Sequence, residues 1–438
     1  MTKLAKELTL YGLTMVAIGS AIGSGIFLTP SDIAKSVPAP TSIMVVWIVG
    51  GIVSLTGALS FGELSSRFPK AGGVYVFLKE AYGDWVGFLY GWSYLLVITS
   101  GAIAGIALAF ATYLGYFIPM NSHWQTAAGA IAIAVVTVIN ILRAKYGEFF
   151  SSIFTALKVL GICFIIFAGL FYSAPVNSFT GLSLSNLAWA GTLPAFGVAL
   201  IGVLWSYGGW QYSSFLAAEV KNPQRNVPRA MIIGAAVVVI IYILINISYL
   251  SLMTIPEIEG TDRLASTAVS KVFPFGGAIV AATIAISTLG TIGAYTLTSP
   301  RIYYAMAEDK LFFKKLAEIH PRYQTPVNAI ILQGVWSVVL LLFWGTFADL
   351  VTYSTFADWI FFAMGAFALF VFRRRSPGTL TGYKTPLYPL TPLLFFIISS
   401  WFVINTMISL PVQSGAGLAI ILIGLPVYFI FRAKNKKA

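Results

Sequence analysis

Cysteine is all but missing from this chain: Cys163 is the only one in 438 residues, and it lies inside an apolar run. That excludes a disulfide framework and a thiolate metal site. Histidine is nearly as scarce, with His123 and His320 both in connecting segments and no HExxH arrangement. Charge is thin as well. Asp, Glu, Lys and Arg make up 10% of the residues, against about 25% in ordinary soluble domains. No cluster of nucleophile, acid or metal ligand emerges of the kind a hydrolytic or redox centre needs, so the chain reads as no enzyme and as holding no cofactor or metal. The N-terminus lacks a short apolar run with a cleavage-type site, and the first apolar segment therefore reads as a retained helix. The one Asn-x-Ser triplet, Asn246–Ser248, is buried in an apolar run and makes a poor glycan acceptor.

What the chain has instead is hydrophobic length. Residues of the apolar class are 58% of the total, and runs of about 20 can cross the hydrocarbon core as helices. Twelve such runs can be read: 10–34, 41–65, 84–117, 125–143, 148–173, 194–219, 229–253, 272–306, 327–345, 349–372, 389–410 and 412–432. The expectation is an all-α membrane protein with twelve transmembrane helices. The net charge of +12 is laid out accordingly. Lys3 and Lys6, Arg67 to Lys79, Arg143 and Lys145, Lys221 to Arg229, Arg301 to Arg322, Arg373 to Lys384 and the tail from Arg432 all fall on one side. The opposite connections at 118–124 and 174–193 carry no charge. This alternation follows the positive-inside rule. It puts both termini in the cytoplasm and the protein in the cell (plasma or inner) membrane, with lipid rather than nucleic acid as its surrounding partner.

Two of the runs are interrupted by small residues. The first contains "GSAIGSG", Gly19 to Gly25, and the sixth contains "SYGGW", Ser206 to Trp210. Glycine inside a helix costs about 1 kcal/mol against alanine, and broken helices at matching places in two halves mark the binding site of many transporters. If five helices form one unit and the next five another, both breaks fall in the first helix of a unit, and the odd number inverts the second unit. An unwound helix offers N–H groups to a carboxylate and C=O groups to an ammonium, the two charges of an amino acid. Read alone, Gly19-x-x-x-Gly23 is also a helix-packing motif; the counterpart at 206–210 favours the binding site.

Longer patterns accompany the breaks: "GSAIGSGIFLTP", "ELSSRFPKAGGVYVFLKEAYG", "WSYGGWQY", "AAEVKNPQRNVPRA", "SPRIYYAMAEDKLF", "HPRYQTP" and "YKTPLYPLTP". With them the chain, from about residue 8 to 432, resembles the amino acid–polyamine–organocation superfamily. Within it the match is to the L-type, sodium-independent amino acid transporters in their bacterial form. The resemblance implies a LeuT-like 5+5 inverted repeat with broken helices 1 and 6 plus two extra helices. Its parts would be 1–193 (first repeat and following extracellular loop), 194–376 (second repeat) and 377–438 (two helices and a basic tail). It implies a substrate site of Ser20, Ala21, Ile22, Gly23, Ser24, Gly25, Trp205, Ser206 and Gly208. There the carboxylate meets N–H groups around Gly23 to Gly25. The amino group meets carbonyls of Ser20 or Ala21 and of Trp205 and Gly208, and Trp205 acts as a gate. Animal members join a glycoprotein through a cysteine after helix 3; 118–124 has none, so no disulfide-linked heavy subunit is expected.

Lys158 is the one charge inside the fifth run, about ten residues from its cytoplasmic end. A lysine near the bilayer centre costs about 2.5–3.5 kcal/mol and needs named partners, unless its stem snorkels out. The resemblance implies a tethered ammonium in place of a sodium ion between helices 1, 5 and 8. Ser287 and Thr288 are the expected hydroxyl partners, with carbonyls near Val16–Gly19, and Tyr242 stands beside the cluster. Asp358 is the carboxylate expected near the centre of helix 10; it could select a cation, carry a proton or pair with a neighbouring donor. Glu63, Glu219 and Asp349 stand at helix ends, in solvated or loop-bracing positions. The side-chain pocket is expected from helices 3, 6, 8 and 10. The resulting expectation is sodium-independent exchange or facilitated diffusion of small-to-medium neutral L-amino acids such as alanine and serine. The alternatives are proton symport through Lys158 or Asp358, and exchange of cationic amino acids or polyamines. "SYGGW" holds no acid, which argues against the last. A sensor or a channel is disfavoured by the short tail and by the two converging breaks.

Overall fold

The computed structural model describes residue 4 and residues 6–142, 144–171, 193–261, 263–343, 347–375 and 382–436. Among them the regular structure is helical, with one isolated bridge between Leu8 and Val220. The first apolar run is split into α1 (Leu10–Ala21) and α2 (Gly25–Ser36). After α3 (Pro40–Arg67) comes a short helix inside a connection, α4 (Val74–Tyr82). Then follow α5 (Asp84–Leu114), α6 (Ser122–Leu142) and α7 (Ala144–Phe171). The sixth run gives α8 (Leu193–Tyr207) and α9 (Tyr212–Phe215), and α10 (Pro223–Leu252) is continuous. Short α11 (Ile255–Glu259) and α12 (Leu264–Ser270) lead to α13 (Gly276–Thr298), which passes into α14 (Pro300–Glu308) at a proline. The chain ends with α15 (Val327–Phe343), α16 (Phe347–Arg375), α17 (Leu390–Ser409) and α18 (Pro411–Lys436).

Ten helices among the described residues are long and apolar enough to cross a membrane, counting α1 with α2 and α13 with α14 as one each. The two further runs, α8 and α15, are apolar but of 15 and 17 residues. The sixth run departs furthest from the expected single helix. Beyond its break only the four residues of α9 and one 3₁₀ turn, Ala217–Glu219, are helical. Asn222, in the left-handed region at φ 50°, then starts α10 together with Pro223 at its first turn, the position where a missing N–H costs nothing.

Lipid contact is written on the outer helices. On α6, Ile131, Val135 and Val138 are exposed, and on α7 so are Leu157 and Leu160. On the opposite face of α7 Ser151, Thr155, Lys158 and Ile162 are buried, a stripe at helical spacing. That stripe faces the centre, where α1 packs against α7, α10 and α13 while α2 packs against α8.

One end of the bundle is tied shut. Leu8 N–H donates to the Glu219 carbonyl at 3.0 Å, and Lys221 N–H donates to the Leu8 carbonyl at 3.0 Å. The Glu219 carboxylate accepts from Arg301 at 2.8 and 3.1 Å, with both side chains almost wholly buried. Asp309 accepts from Tyr75 and Lys79 at 2.7 Å each, which anchors α4 beneath α14. Glu63, also buried, accepts from Arg67 at 3.0 Å, Arg373 at 2.6 Å and the Thr385 N–H at 2.8 Å. Glu63 and Glu219 are thus bracing groups and not solvated ones: helix-end carboxylates this deep must be paired. Asp349 has its side chain outside the described residues.

Candidate substrate site at two broken helices

The first break is a turn of three residues. Ile22, at φ −77° and ψ 80°, closes α1 by donating its N–H to Ile18 at 2.8 Å. Gly23 N–H turns back to the Ala21 carbonyl at 2.8 Å, the geometry of an inverse γ-turn. The N–H groups of Ser24, Gly25 and Ile26 then meet no acceptor among the described residues. The Ser20 and Ser24 hydroxyls are buried without a partner. Orphan donors at a helix start are of the kind that can take an anion. The glycines here serve closeness rather than unusual torsions, since neither Gly23 nor Gly25 has a positive φ. A Cβ on Gly25 would collide with Ser206, and one on Gly19 with Thr155. Gly19 therefore does act as a packing residue toward α7, alongside its place next to the break.

The second break lies directly on the first. Gly208 N–H ends α8 on the Leu204 and Trp205 carbonyls at 3.0 and 3.1 Å. Gly209 has φ +131°, and a Cβ on it would come within 2.7 Å of the Ala21 Cα. Only glycine tolerates both conditions. Its N–H donates to Gln211 Oε1 at 2.9 Å. The hydroxyl of Tyr242, on α10, lies 2.8 Å from the Ala21 carbonyl and 3.1 Å from the Ser206 carbonyl, so one hydrogen links both breaks. The Ser206 hydroxyl is already engaged, donating to the Gly202 carbonyl at 2.7 Å with Thr29 Oγ1 3.2 Å away.

Lys158 is fully buried and does not snorkel. Its Nζ donates to the Gly19 carbonyl at 2.9 Å, the Ile22 carbonyl at 2.6 Å and Thr291 Oγ1 at 2.8 Å. It therefore ties α7 to the end of α1 and to α13. The carbonyl end of α1 is the negative end of its dipole, which suits a cation. The hydroxyl partner differs from the expected pair. Ser287 Oγ donates to the same Ile22 carbonyl at 3.4 Å, but Thr288 turns away to Ile284 and Ala285 of its own helix. Ser287 and Thr291 are four residues apart and share a face; Thr288 is rotated off it by about 100°.

Beside the second break is a cavity of about 30 Å³ for a water-sized sphere. Trp205, Gly208, Gln211, Tyr295, Thr355 and Asp358 are in its wall, with Ile98, Ala102, Ser354 and mostly apolar neighbours completing it. These come from the third, sixth, eighth and tenth runs. Trp205 is partly exposed within it, and Tyr212 stacks on Tyr295 with ring centres 4.4 Å apart. Residues Ser20 to Gly25 are buried and stand outside this wall. The profile of the family described as amino acid permease matches residues 8–431. The chain belongs to that family.

This permease is 35% identical to the serine/threonine exchanger SteT of Bacillus subtilis, over 99% of this chain and 98% of that one. It is 32% identical to the human b(0,+)-type amino acid transporter 1, over 98% and 88%. With the mouse large neutral amino acids transporter small subunit 2 it shares 30%, over 98% and 81%. The family carries solutes and is not a family of enzymes. For the permease the structure brings Ser20 to Gly25, Ser206, Gly208, Lys158, Tyr242 and Ser287 together around the two breaks. Trp205 and Asp358 face the adjoining cavity, and Thr288 stands apart. Sequence reasoning missed Gly209, Gln211 and Thr291. The doubled glycine in "SYGGW" signalled the first of these, and the four-residue step from Ser287 the last.

Proposed function

We propose that this permease exchanges small-to-medium neutral L-amino acids across the cell membrane by alternating access, without sodium. Lys158 carries the reading. Its ammonium joins α1, α7 and α13 through two carbonyls and a hydroxyl, oxygen ligands of the kind that hold a metal cation. A tethered cation bridges the same elements but cannot dissociate, so no ion gradient is coupled to it. The names of the relatives, a serine/threonine exchanger and neutral amino acid transporters, support the substrate class. In this reading the substrate carboxylate takes the orphan N–H groups of Ser24, Gly25 and Ile26. The amino group takes the Ser20 and Gly208 carbonyls, which accept no hydrogen bond among the described residues; Ala21 and Trp205 are already used. Trp205 covers the site.

The architecture we infer is twelve spans in two inverted repeats of five, bounded at 1–193 and 194–376, with α17 and α18 added. The packing pattern supports it: α1 lies on α10 as α8 lies on α3, α7 on α13 as α16 on α5, and α1 on α7 as α8 on α16. Each pairing maps onto its counterpart by exchanging spans five apart. Both termini are cytoplasmic in this reading, on the basic, tied end, and a separate cavity of about 180 Å³ between α2, α8 and α16 belongs to the outer approach. In this reading the permease works without a disulfide-linked subunit, supported by the connection 118–124, which holds no cysteine, and by the place of Cys163 within the span α7.

The test is uptake of radiolabelled alanine into liposomes holding the purified protein. Uptake should require unlabelled amino acid inside and be indifferent to sodium and to a pH step. Uptake into empty vesicles driven by an inward proton gradient would replace this reading by proton symport.

A further inference from the structure

We propose that Asp358 reads the substrate side chain, so that the pocket selects amino acids bearing a side-chain hydroxyl over their apolar isosteres, threonine over valine and serine over alanine. This rests on the amino acid exchange proposed above. Asp358 is on α16, in the wall that also contains Trp205 and Gly208 of the second break. A substrate held at the breaks therefore directs its side chain toward it. Asp358 Oδ1 is sealed from solvent and has no hydrogen-bond partner, and Thr355 Oγ1, one turn earlier on the same wall, has none either. No cation reaches the carboxyl: among the described residues it joins no salt bridge, and the three hydrogens of Lys158 go to Gly19, Ile22 and Thr291. The rest of the wall mixes apolar Ile98, Ala102, Leu204 and Trp359 with Gln211, Tyr295 and Ser354. Gln211 Oε1 already accepts from the Gly209 N–H at 2.9 Å, and the Ser354 hydroxyl donates to the Val97 carbonyl at 3.3 Å. The few polar groups a pocket leaves unpaired fix which ligand fits.

The chemistry of the two groups points to a hydroxyl. A substrate O–H donates to the carboxylate, or accepts from it if the carboxyl carries a proton, so it pairs in either state. The Thr355 hydroxyl completes the remaining bond. A methyl in the same place leaves both groups buried and unpaired. Sites built to bond a substrate hydroxyl reject the analogue lacking it far more strongly than apolar pockets reject an added one. The scale agrees, for a cavity of about 30 Å³ admits roughly two to three water-sized groups, the size of a hydroxymethyl or hydroxyethyl and not of an aromatic ring.

Competition in the liposome assay tests this, with labelled alanine as tracer and threonine, valine, serine and 2,3-diaminopropionate as unlabelled competitors. Wild-type protein should require about tenfold less threonine than valine for half inhibition. In Asp358→Leu that ratio should fall to about twofold or less, and in Thr355→Val to an intermediate value. Equal inhibition by threonine and valine in wild type overturns the proposal. So does a ratio unchanged in Asp358→Leu, and so does diaminopropionate displacing tracer about tenfold better than serine, which would make Asp358 an ammonium site. If no alanine enters at all, the exchange reading fails by itself. Selectivity is then read from the thermal stabilisation of detergent-purified wild-type protein by threonine against valine; equal stabilisation overturns the proposal there too. The wild-type ratio and Thr355→Val keep the test decisive if Asp358→Leu does not fold.

Discussion

A single hydroxyl, that of Tyr242, is shared between the carbonyls of Ala21 and Ser206 and so senses both breaks at once. One such hydrogen bond is worth about 0.5–1.5 kcal/mol. Tyr242→Phe should therefore slow alanine exchange about tenfold while the protein keeps its elution profile; an unchanged rate would mean that the bond does not act in transport. Gly209 is stricter. Its φ of +131° and its approach to Ala21 leave no room for a side chain. Strained torsion and overpacking together place the cost of Gly209→Ala at roughly 2 kcal/mol or more, read as a lower thermal midpoint in detergent. Gly25→Ala should behave alike, through Ser206. The importance of glycine in both breaks could be seen in the sequence; its reason could not. Closeness of one backbone to another is a property of two segments 180 or so residues apart, and neither segment states it alone.

Among the helices, the apolar runs were legible because length and hydrophobicity suffice to mark a span, and the observed bounds of α5, α6 and α7 fall within about four residues of the runs. What failed was internal detail. The sixth run reads as apolar to residue 219, yet α9 is four residues long, because side-chain composition does not register the loss of backbone hydrogen bonds. The partner of Lys158 failed for a related reason. A lysine in one helix does not reveal which face of another it meets, and Thr288 and Thr291 are equally plausible by composition. Packing decides for Thr291, whose hydroxyl lies 3.1 Å from both Gly19 and Ile22 carbonyls. Thr291→Val should thus lower exchange and thermal stability together, by about 1–3 kcal/mol for a buried group left unpaired. Thr288→Val removes only a hydroxyl bonded to carbonyls of its own helix, so it should leave exchange unchanged and cost at most about 1 kcal/mol of stability. Equal effects of the two would contradict the assigned face.

The Leu8 end of the molecule is closed by Leu8 on Val220, Glu219 on Arg301 and Asp309 on α4, while a cavity of about 180 Å³ lies between α2, α8 and α16. Alternating access requires the closed end to open in each cycle. Leu8→Cys with Val220→Cys, in a Cys163→Ser background, should form a disulfide that stops exchange until a reductant restores it; equal rates when oxidised and reduced would contradict opening at this end. Arg301→Ala leaves Glu219 buried and unpaired, at a cost of about 3–5 kcal/mol, and should be among the least stable variants in a thermal series.

The claim on which the rest depends is that a covalently held ammonium stands where an ion would bridge the first, fifth and eighth spans. Alanine exchange by wild type and Lys158→Ala, each with and without sodium, tests it most directly. Removing Lys158 takes a charged donor from the Gly19 and Ile22 carbonyls and from Thr291, leaving the carbonyls only the shared Thr291 hydroxyl and the Ser287 hydroxyl on Ile22, at about 1–3 kcal/mol for the lost bonds. The account predicts a wild-type rate independent of sodium and a variant more than about tenfold slower. A variant that exchanges at the wild-type rate, or a wild type that stops when sodium is withdrawn, would contradict it.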